Sequence, residues 1–418
     1  MRSNSSQYRV KGWLGPGVAL MQRLRMSVKL ATMAFMLGLP LVVVSYFQMS
    51  TLFGDYATAR DEVLGAQAVH LVGEALTDVQ HLRAEAVLTG KPEFDKSRAL
   101  TLQDLQAHIS AVDAWFAQHP ELEWSKNWST RRAGLQGLQT ATAQGQSANE
   151  AQNAALAELR NLVSLIAEQS ALVLDPLPQS YFLQDILSNR TVAWMDTVSM
   201  ARAVAAGWLL QPEDKSAPAA VLSSLAGTLD AHALALGFSL DALERSGEKE
   251  LPSGGRAALA ATQTLSREIR ELAGKDATPQ AIAATIESGS KVLEAGRAFQ
   301  KDVAQRLVST LQARQDKAFF QACALGGMAA AGLLLVTYLI LCFSVATIRS
   351  IRALNQAISE GTRGNLAVHV EVPGSDELAQ ISKEFENMLN VLSTLVADVR
   401  SASSMVTHVG AQLVEDGH

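Results

Sequence analysis

The chain has few of the residues that mark catalysis, metal binding or disulfide bonds. Its only cysteines are Cys323 and Cys342, which share one uncharged stretch, so no other region is expected to be held by disulfides. The sequence has no HExxH, CxxC, glycine-rich phosphate loop or Gly-x-Ser-x-Gly motif, and its eight histidines are scattered. These absences predict that the chain is not an enzyme and uses no metal or other cofactor.

Charged and aromatic side chains are also scarce. Charged residues make up 18% of the chain and aromatic residues 6%, whereas hydrophobic residues make up 48%. The net charge of −6 argues against a nucleic-acid partner. Abundant Ala, Leu and Gln favour helix, and no segment shows the period-two alternation of a β-strand. The sequence therefore predicts an all-α fold.

Two long stretches without charge predict membrane-spanning helices. Leu30–Phe47 has 18 uncharged residues and Phe319–Ile348 has 30, and roughly 20 apolar residues cross a bilayer. No small-x-small cleavage site follows the first stretch, so it is expected to remain as an anchor. The predicted segments are a basic N-terminus (1–29), transmembrane helix 1 (30–50), a ligand-binding region (51–318) and transmembrane helix 2 (319–346).

Basic residues predict the orientation of both spans. Residues 1–29 contain six Lys or Arg and no Asp or Glu, and Arg349, Arg352 and Arg363 follow the second span. Because Lys and Arg concentrate on cytoplasmic flanks, both termini are expected in the cytoplasm. The chain is thus predicted to be a multi-pass protein of the inner membrane, in contact with lipid, with residues 51–318 in the periplasm.

The region between the spans is expected to be helical throughout. The predicted helices are Val63–Leu88, Phe94–Phe116, Leu135–Leu174 with a Gly- and Gln-rich stretch near 134–146 where it can break, a helix capped by Asp175-Pro176 that reaches Leu210, Pro212–Leu243, Arg256–Leu272 and Pro279–Phe319. Six or seven such helices fit either one elongated bundle or two stacked four-helix bundles.

A few side chains in this region are candidates for ligand binding. An arginine on an inward helix face can bind a carboxylate through two parallel hydrogen bonds. The candidates are Arg83, Arg190 and Arg202, with Tyr181 nearby in sequence. The competing interpretation is that each arginine is solvated or pairs with a carboxylate of the chain, and that Tyr181, like Trp194, belongs to the core.

The most informative pattern is a long apolar seam near the end of the chain. Its members recur at steps of three and four residues: Leu378, Ile381, Phe385, Met388, Leu392, Leu395, Val399, Ala402, Val406, Val409 and Leu413. Heptad spacing sustained this far predicts a helix that buries one stripe against partner helices. Such a seam just beyond a membrane span is typical of a device that carries conformation across the membrane.

The segment Ile348–Leu395 resembles a HAMP domain. The resemblance rests on a Gly-Asn-Leu connector ending at Leu366, a Pro-Gly-Ser-Asp-Glu-Leu turn, and Phe385 with Met388 on the second helix; the residues it implicates in signalling are Leu366, Pro373, Gly374, Asp376, Glu377, Leu378, Ile381, Phe385, Met388 and Leu392. The sequence departs from the pattern at the missing proline before the first helix, at Asn365 and at Glu386. A HAMP domain, assigned to residues 347–400, implies a parallel four-helix coiled coil in a homodimer.

The whole architecture resembles a bacterial chemoreceptor, a methyl-accepting chemotaxis protein. The tail after Val396 is similar to the start of a signalling helix (401–418), and the length of the region between the spans is similar to that of helical bimodular sensors. The resemblance implies a small-molecule ligand, with an organic acid as the expected class. It also implies coupling to a chemotaxis kinase and adaptor through a further module beyond these residues. The alternatives are the input half of a sensor histidine kinase or diguanylate cyclase, and a membrane scaffold that senses nothing.

Overall fold

The computed structural model describes residues 20–21, 24, 26–88, 90–140, 146–211, 216–247, 251–274, 277–369 and 377–415. Every regular element in these ranges is helical, which confirms the predicted all-α class. The chain divides into two compact units. One, here called the bundle unit, is residues 51–322, and the other, the terminal unit, joins residues 1–50 to 323–418.

Ten α-helices account for most of the described chain. They are α1 (Met26–Val87), α2 (Pro92–Gln118), α3 (Glu123–Thr140), α4 (Gln146–Gln169), α5 (Pro178–Asp185), α6 (Thr191–Leu210), α7 (Ser216–Arg245), α8 (Gly255–Gly274), α9 (Pro279–Thr362) and α10 (Glu377–Glu415). A 3-10 turn, Leu172–Leu174, precedes α5, and a π-helical turn, Ile186–Arg190, joins α5 to α6.

Apolar residues at helical spacing build the core of the bundle unit. The buried stripe of α8 steps by four and three residues through Ala258, Thr262, Leu265, Ile269 and Leu272. Such a stripe places one side of a helix in the core. Neighbouring helices supply larger side chains, and the indole of Trp194 donates to Thr262 Oγ1 at 3.0 Å from within that core. One connected group of buried apolar residues runs through the unit from α1 to α9.

Three described helices are long and apolar enough to cross a membrane. Two of them, α1 and α9, contain the predicted spans, and none of the most apolar 18-residue stretch in either helix is buried. The third is α7, which was not predicted as a span from the sequence. In this helix, 28% of the most apolar 18-residue stretch is buried. Its stripe of Leu222, Leu229, Leu236 and Leu243 lies in the core of the bundle unit.

Two predicted boundaries in the bundle unit are wrong. The helix Glu123–Thr140 was missed, because its buried Trp124 and Trp128 sit among Lys, Arg and Gly residues that weaken the periodic signal. Asp175 does not cap a helix: its Oδ1 accepts from the Leu177 N–H at 2.9 Å in a turn, and α5 begins only at Pro178. The break that the sequence allowed near 134–146 falls partly outside the described residues, and the predicted Leu135–Leu174 corresponds to the end of α3 and to α4.

The terminal unit contains the first part of α1, the last part of α9, and α10. Gly326 of α9 lies against the Met49 side chain of α1, where an added Cβ would collide with the Met49 methyl group. Small residues allow close approach of apolar helices, which are held together mainly by packing.

Candidate functional site

The predicted connector begins with a tight turn at the end of α9. Gly364 has a φ of +92°, and its N–H donates to the Gly361 carbonyl at 3.1 Å. Asn365 follows, and its Oδ1 accepts from the Ala367 N–H at 3.3 Å. A positive φ is easily adopted only by glycine, so the Gly-Asn pair ends the helix and turns the chain.

The helix α10 packs against the end of α9 within one chain. A Cβ at Gly361 would stand 3.1 Å from Leu389 Cδ2 and 3.6 Å from Phe385 Cζ. Ala357 on α9 and Leu389 on α10 are both buried. The two helices therefore meet along a side of α10 that includes Leu389, which the predicted seam does not.

The seam itself remains open in a single chain. Exposed fractions along it are 52% for Ile381, 48% for Met388, 41% for Leu392, 53% for Leu395 and 68% for Val399. The buried positions Ala379, Ser382 and Leu389 each lie one residue further along the helix. One stripe of α10 is thus covered by its own chain, and the neighbouring apolar stripe is exposed at these five positions, although Leu378 and Phe385 at its start are half-buried.

The structure describes some of the other predicted signalling residues. Leu366, Leu378 and Phe385 are half-buried. Glu377 is the first residue of α10, where its carboxylate is stabilised by the helix dipole. The remaining members, Pro373, Gly374 and Asp376, lie outside the described residues.

Residues 343–394 match the HAMP domain family. The HAMP match covers the end of α9, the turn at Gly364 and the first half of α10. No curated protein and no solved structure matches the chain. A HAMP domain together with apolar helices of membrane-spanning length indicates a membrane protein that relays a signal, of the kind found in chemoreceptors, sensor histidine kinases and cyclases.

In the bundle unit, Arg83 is paired with a carboxylate of the chain. Its side chain is 1% exposed, and its Nη2 donates to Asp196 Oδ1 at 2.9 Å. Arg160 Nη1 donates to the other oxygen of Asp196 at 2.6 Å. Burial lowers the pKa of Arg83, and Asp196 opposes that shift. Arg83 therefore joins α1 to α6, as the competing interpretation expected of a paired arginine.

Arg202 makes a second buried contact between the same helices. Its Nη1 donates to the His81 carbonyl at 3.5 Å, and its stem lies against Gly289 of α9. Burial lowers the pKa of Arg202, and the carboxylates of Glu85 and Glu294 oppose that shift. Burial also raises the pKa of Glu85.

The remaining ligand candidates lie elsewhere. Arg190 is about half-exposed, and its Nε donates to Asp185 Oδ2 at 2.9 Å. Tyr181 is 41% exposed and meets Phe182 edge to face at 5.3 Å, so it is not a core residue. The structure thus brings Arg83 and Arg202 to one contact between α1 and α6 and gives Arg190 a different partner.

A third buried ion cluster links α1, α2 and α9 around Asp78, which is 0% exposed. His108 Nδ1 lies 2.6 Å from Asp78 Oδ2, and Arg297 pairs with Oδ1. The hydrogen bond to Asp78 raises the pKa of His108. Within the described parts of the chain, no group of three or more His, Cys, Asp or Glu residues is placed to hold a metal ion.

A groove of about 390 Å³ lies between α1, α2 and α9 and is here called the Trp115 groove. Its walls include Gln67 and His70 of α1, Trp115 of α2, and Gln305 and Gln312 of α9. The Trp115 ring is held by a stacked contact with His119 at 4.2 Å between ring centres. An aromatic surface with a few convergent polar groups is typical of a small-molecule site.

Sequence reasoning missed this groove. Its one local signal is the spacing of Gln305, Ser309 and Gln312, which places three polar side chains on one side of α9. Trp115 comes from a distant helix, and nothing in the sequence indicates that the two meet. Burial lowers the pKa of His70, with Glu74 opposing, so the groove is expected to carry no full charge of its own at neutral pH.

Proposed function

We propose that the chain is the sensory half of a bacterial chemoreceptor that binds a small molecule in the bundle unit and relays a conformational change through its HAMP domain. The observation that carries the proposal is α9, a single helix from Pro279 to Thr362. Along its length, α9 lines the Trp115 groove, continues through the uncharged stretch predicted to span the membrane, and then forms the first HAMP helix. A displacement of α9 at the groove would therefore reach the HAMP domain without passing through another helix.

The open seam of α10 supports a homodimer. Five exposed apolar positions at heptad spacing cost hydration free energy in a single chain and are covered when a second copy packs against them. Each α10 would then contact its own α9 through Leu389 and the partner copy through the seam. That arrangement is a parallel four-helix bundle, and discrete packing states of such a bundle suit signal relay.

Two spans, rather than three, fit the packing of α7. Its leucine stripe is covered by α6 and α8, and Ser266 of α8 donates to its Ala226 carbonyl at 3.0 Å. Ion pairs from Asp230 and Asp241 to Arg270 and Arg256 add polar contacts along it. We therefore assign the spans to α1 and α9, with both termini in the cytoplasm and the bundle unit in the periplasm.

The Trp115 groove is the ligand site that we propose within this unit. Arg83 is paired with Asp196 and Arg202 is buried in the core, so a carboxylate ligand would find neither arginine accessible there. A carboxylate in the groove would instead accept hydrogen bonds from the amides of Gln305 and Gln312. A planar or polar small molecule stacked on Trp115 fits the lining best, and organic acids remain within that class.

The relay is tested by placing a charge in the seam. Joining the chain to the kinase-controlling module of a chemoreceptor gives a measurable output in cells that lack their own receptors. Phe385→Asp is expected to lock or abolish kinase control, because a second copy covering the seam would bury the new carboxylate without an ion partner, which costs about 3–5 kcal/mol. Asn387→Asp, an exposed position on the same helix, is the control and should leave output intact. Normal output from Phe385→Asp would exclude the seam as the conduit.

The choice of chemoreceptor over a sensor kinase or cyclase is supported by the resemblance of the tail after Val396 to a signalling helix. The same α9 and HAMP arrangement would serve a kinase or cyclase input half. A scaffold would use the bundle without any ligand, so a ligand screen of residues 51–322 separates that alternative from a sensor.

A further inference from the structure

The bundle unit contains a second groove. It is lined by the charged residues of α1 and α9 that lie nearest in sequence to the uncharged stretches predicted to span the membrane. Asp55 is the first charged residue of α1 after Lys29, and Lys317 is the last charged residue of α9 before Arg349. Both line a groove of about 400 Å³, here called the charged groove, together with Glu62, Leu177 and Arg314. The ring centres of Tyr56 on α1 and Phe319 on α9 are 5.7 Å apart, so these two residues lie side by side.

The segment beside this groove exposes apolar side chains. Ala171 has a φ of +61°, an unfavourable value for a residue with a Cβ, and starts the turn that leads to α5. The exposed fraction of Leu174 is 80%, that of Leu177 is 48% and that of Val173 is 42%. Phe53, Phe319 and Phe320, which lie close to Asp55 and Lys317 in the sequence, are also more than half exposed.

The same segment is firmly anchored, so its exposed tips are built into the fold. Leu172 is buried against the Gly65 region of α1. The Asp175 side chain is fully buried, and its Oδ1 accepts from Arg314 Nη1 at 2.8 Å. Arg314 also pairs with the buried Glu62 of α1. Exposing the apolar side chains of Val173, Leu174 and Leu177 to water is unfavourable, whereas the apolar boundary of a bilayer would accommodate them.

The charges of the groove favour one kind of headgroup. Arg314 is shared by the buried carboxylates of Glu62 and Asp175, so that cluster keeps one negative charge, and Asp55 and Lys317 add one charge of each sign to the lining. Asp55 and Lys317 make no ion pair with another residue in the described part of the chain. A lipid with a net negative charge is disfavoured, whereas a headgroup with both a phosphate and a primary ammonium can satisfy both signs.

We propose that the charged groove binds the headgroup of a zwitterionic phospholipid that carries a primary ammonium, a phosphatidylethanolamine. Lys317 contacts the phosphate, Asp55 accepts hydrogen bonds from the ammonium, and Val173, Leu174 and Leu177 enter the acyl region, while Arg314 stays paired with Glu62 and Asp175. A trimethylammonium group donates no hydrogen bond, so a choline headgroup binds less well. This inference rests on the assignment of α1 and α9 as spans in the proposed function.

Lipid retention tests the headgroup preference. The full chain in detergent is mixed with equal amounts of ethanolamine, choline and glycerol phospholipids of identical acyl chains, and retained lipid is counted by native mass spectrometry. We expect roughly fivefold preference for the ethanolamine lipid, the size expected for one or two exposed charge contacts. The double variant Asp55→Asn with Lys317→Ala should lose that preference. The double control Asp61→Asn with Lys291→Ala, exposed positions on the same two helices, should keep it.

Two outcomes of this measurement would overturn the proposal. One is equal retention of the three lipids by the unmodified chain. The other is preferential binding of soluble phosphoethanolamine with no lipid retained, which would assign the groove to a free solute. Neither outcome depends on signalling output. The lipid measurement therefore tests the groove even if the Phe385→Asp experiment contradicts the proposed relay.

The insertion of the apolar segment is tested separately. In nanodiscs containing brominated acyl chains, the fluorescence of a tryptophan introduced by Leu174→Trp should be quenched. Val221→Trp, an exposed apolar position on α7, is the control and should not be quenched. Quenching at neither position would show that the segment stays in water and would contradict the insertion, whatever the lipid preference.

Discussion

At the scale of residues, the bundle unit contains several buried charges that form ion pairs with one another. Arg83, Asp78 and Glu62 are each less than 2% exposed, and each has an ion partner on another helix. Removing one member of such a pair leaves a buried charge uncompensated, which is costly, although the intact pair adds little net stability. These pairs fix which helices meet and in which register.

Two histidines near these pairs predict opposite pH dependence. Burial and the nearby Arg202 and Arg297 lower the pKa of His81 to about 3, so stability falls as the pH drops below about 6.5, where the unfolded chain takes up a proton. The hydrogen bond to Asp78 raises the pKa of His108, so its contribution is fully present below about pH 6.5 and is lost as the pH rises through the raised value.

The measurement is urea unfolding of residues 51–322, followed by tryptophan fluorescence at about pH 8 and about pH 5.5. His81→Gln is expected to lose less stability on acidification than the unmodified unit, and His108→Gln is expected to lose more. If the three proteins changed in parallel, the two imidazoles would have the same protonation in the folded and unfolded states.

At the scale of elements, glycines have different roles in different helices. Gly227 of α7 has open space around the position of a Cβ, whereas a Cβ at Gly289 of α9 would stand 2.6 Å from Arg202 Cγ and 3.0 Å from Arg202 Cδ. The second position is a close approach that admits the stem of a buried arginine. The first is an exposed helix position where glycine only adds flexibility to the unfolded chain.

The two alanine substitutions are therefore expected to have opposite signs. Gly227→Ala should raise the free energy of unfolding by about 0.5–1 kcal/mol because of the better helix propensity. Gly289→Ala should lower it by about 1–3 kcal/mol, since the stem of Arg202 must move within a packed core. Urea unfolding of residues 51–322 measures both. Equal stability of the two variants would mean that α9 shifts away from α6 without cost.

At the scale of the whole molecule, the uncovered surfaces have different expected occupants. The seam of α10 is expected to be covered by a second copy of the chain, and the Trp115 groove is expected to be filled by a small molecule. The exposed faces of α1 and α9 between their charged ends are expected to contact lipid. An isolated chain in water would leave all of these surfaces exposed, which is the physical reason to expect a dimer in a membrane.

A thermal-shift screen tests the sensor function of residues 51–322. Organic acids, amino acids and planar heterocycles are compared, and a ligand at 100 times its Kd should stabilise the unit by about 2.7 kcal/mol. Trp115→Leu is expected to remove the shift, whereas Phe238→Leu, an exposed aromatic position outside the groove, should keep it. Stabilisation by no compound would favour the scaffold, and a shift that survives in Trp115→Leu would place the ligand elsewhere.

Sequence reasoning succeeded where the signal is local. The seam from Leu378 to Leu413 predicted a single helix, and α10 runs from Glu377 to Glu415, because heptad spacing lies within one segment. Sequence reasoning failed at Asp175, where an aspartate before Pro176 favours a helix cap but the side chain instead makes a turn and an ion pair with Arg314. That competition is decided by a residue 139 positions away.

The sequence by itself determined that this protein is helical, that two stretches can span a membrane, and that a heptad seam follows the second, because each property depends on spacing within one segment. The tertiary structure decided which arginines are already paired, which aromatic side chain faces a groove, and which stripe of α10 is left for a partner. Those depend on which faces of distant helices meet, and many sequences with the same local periodicity could meet differently.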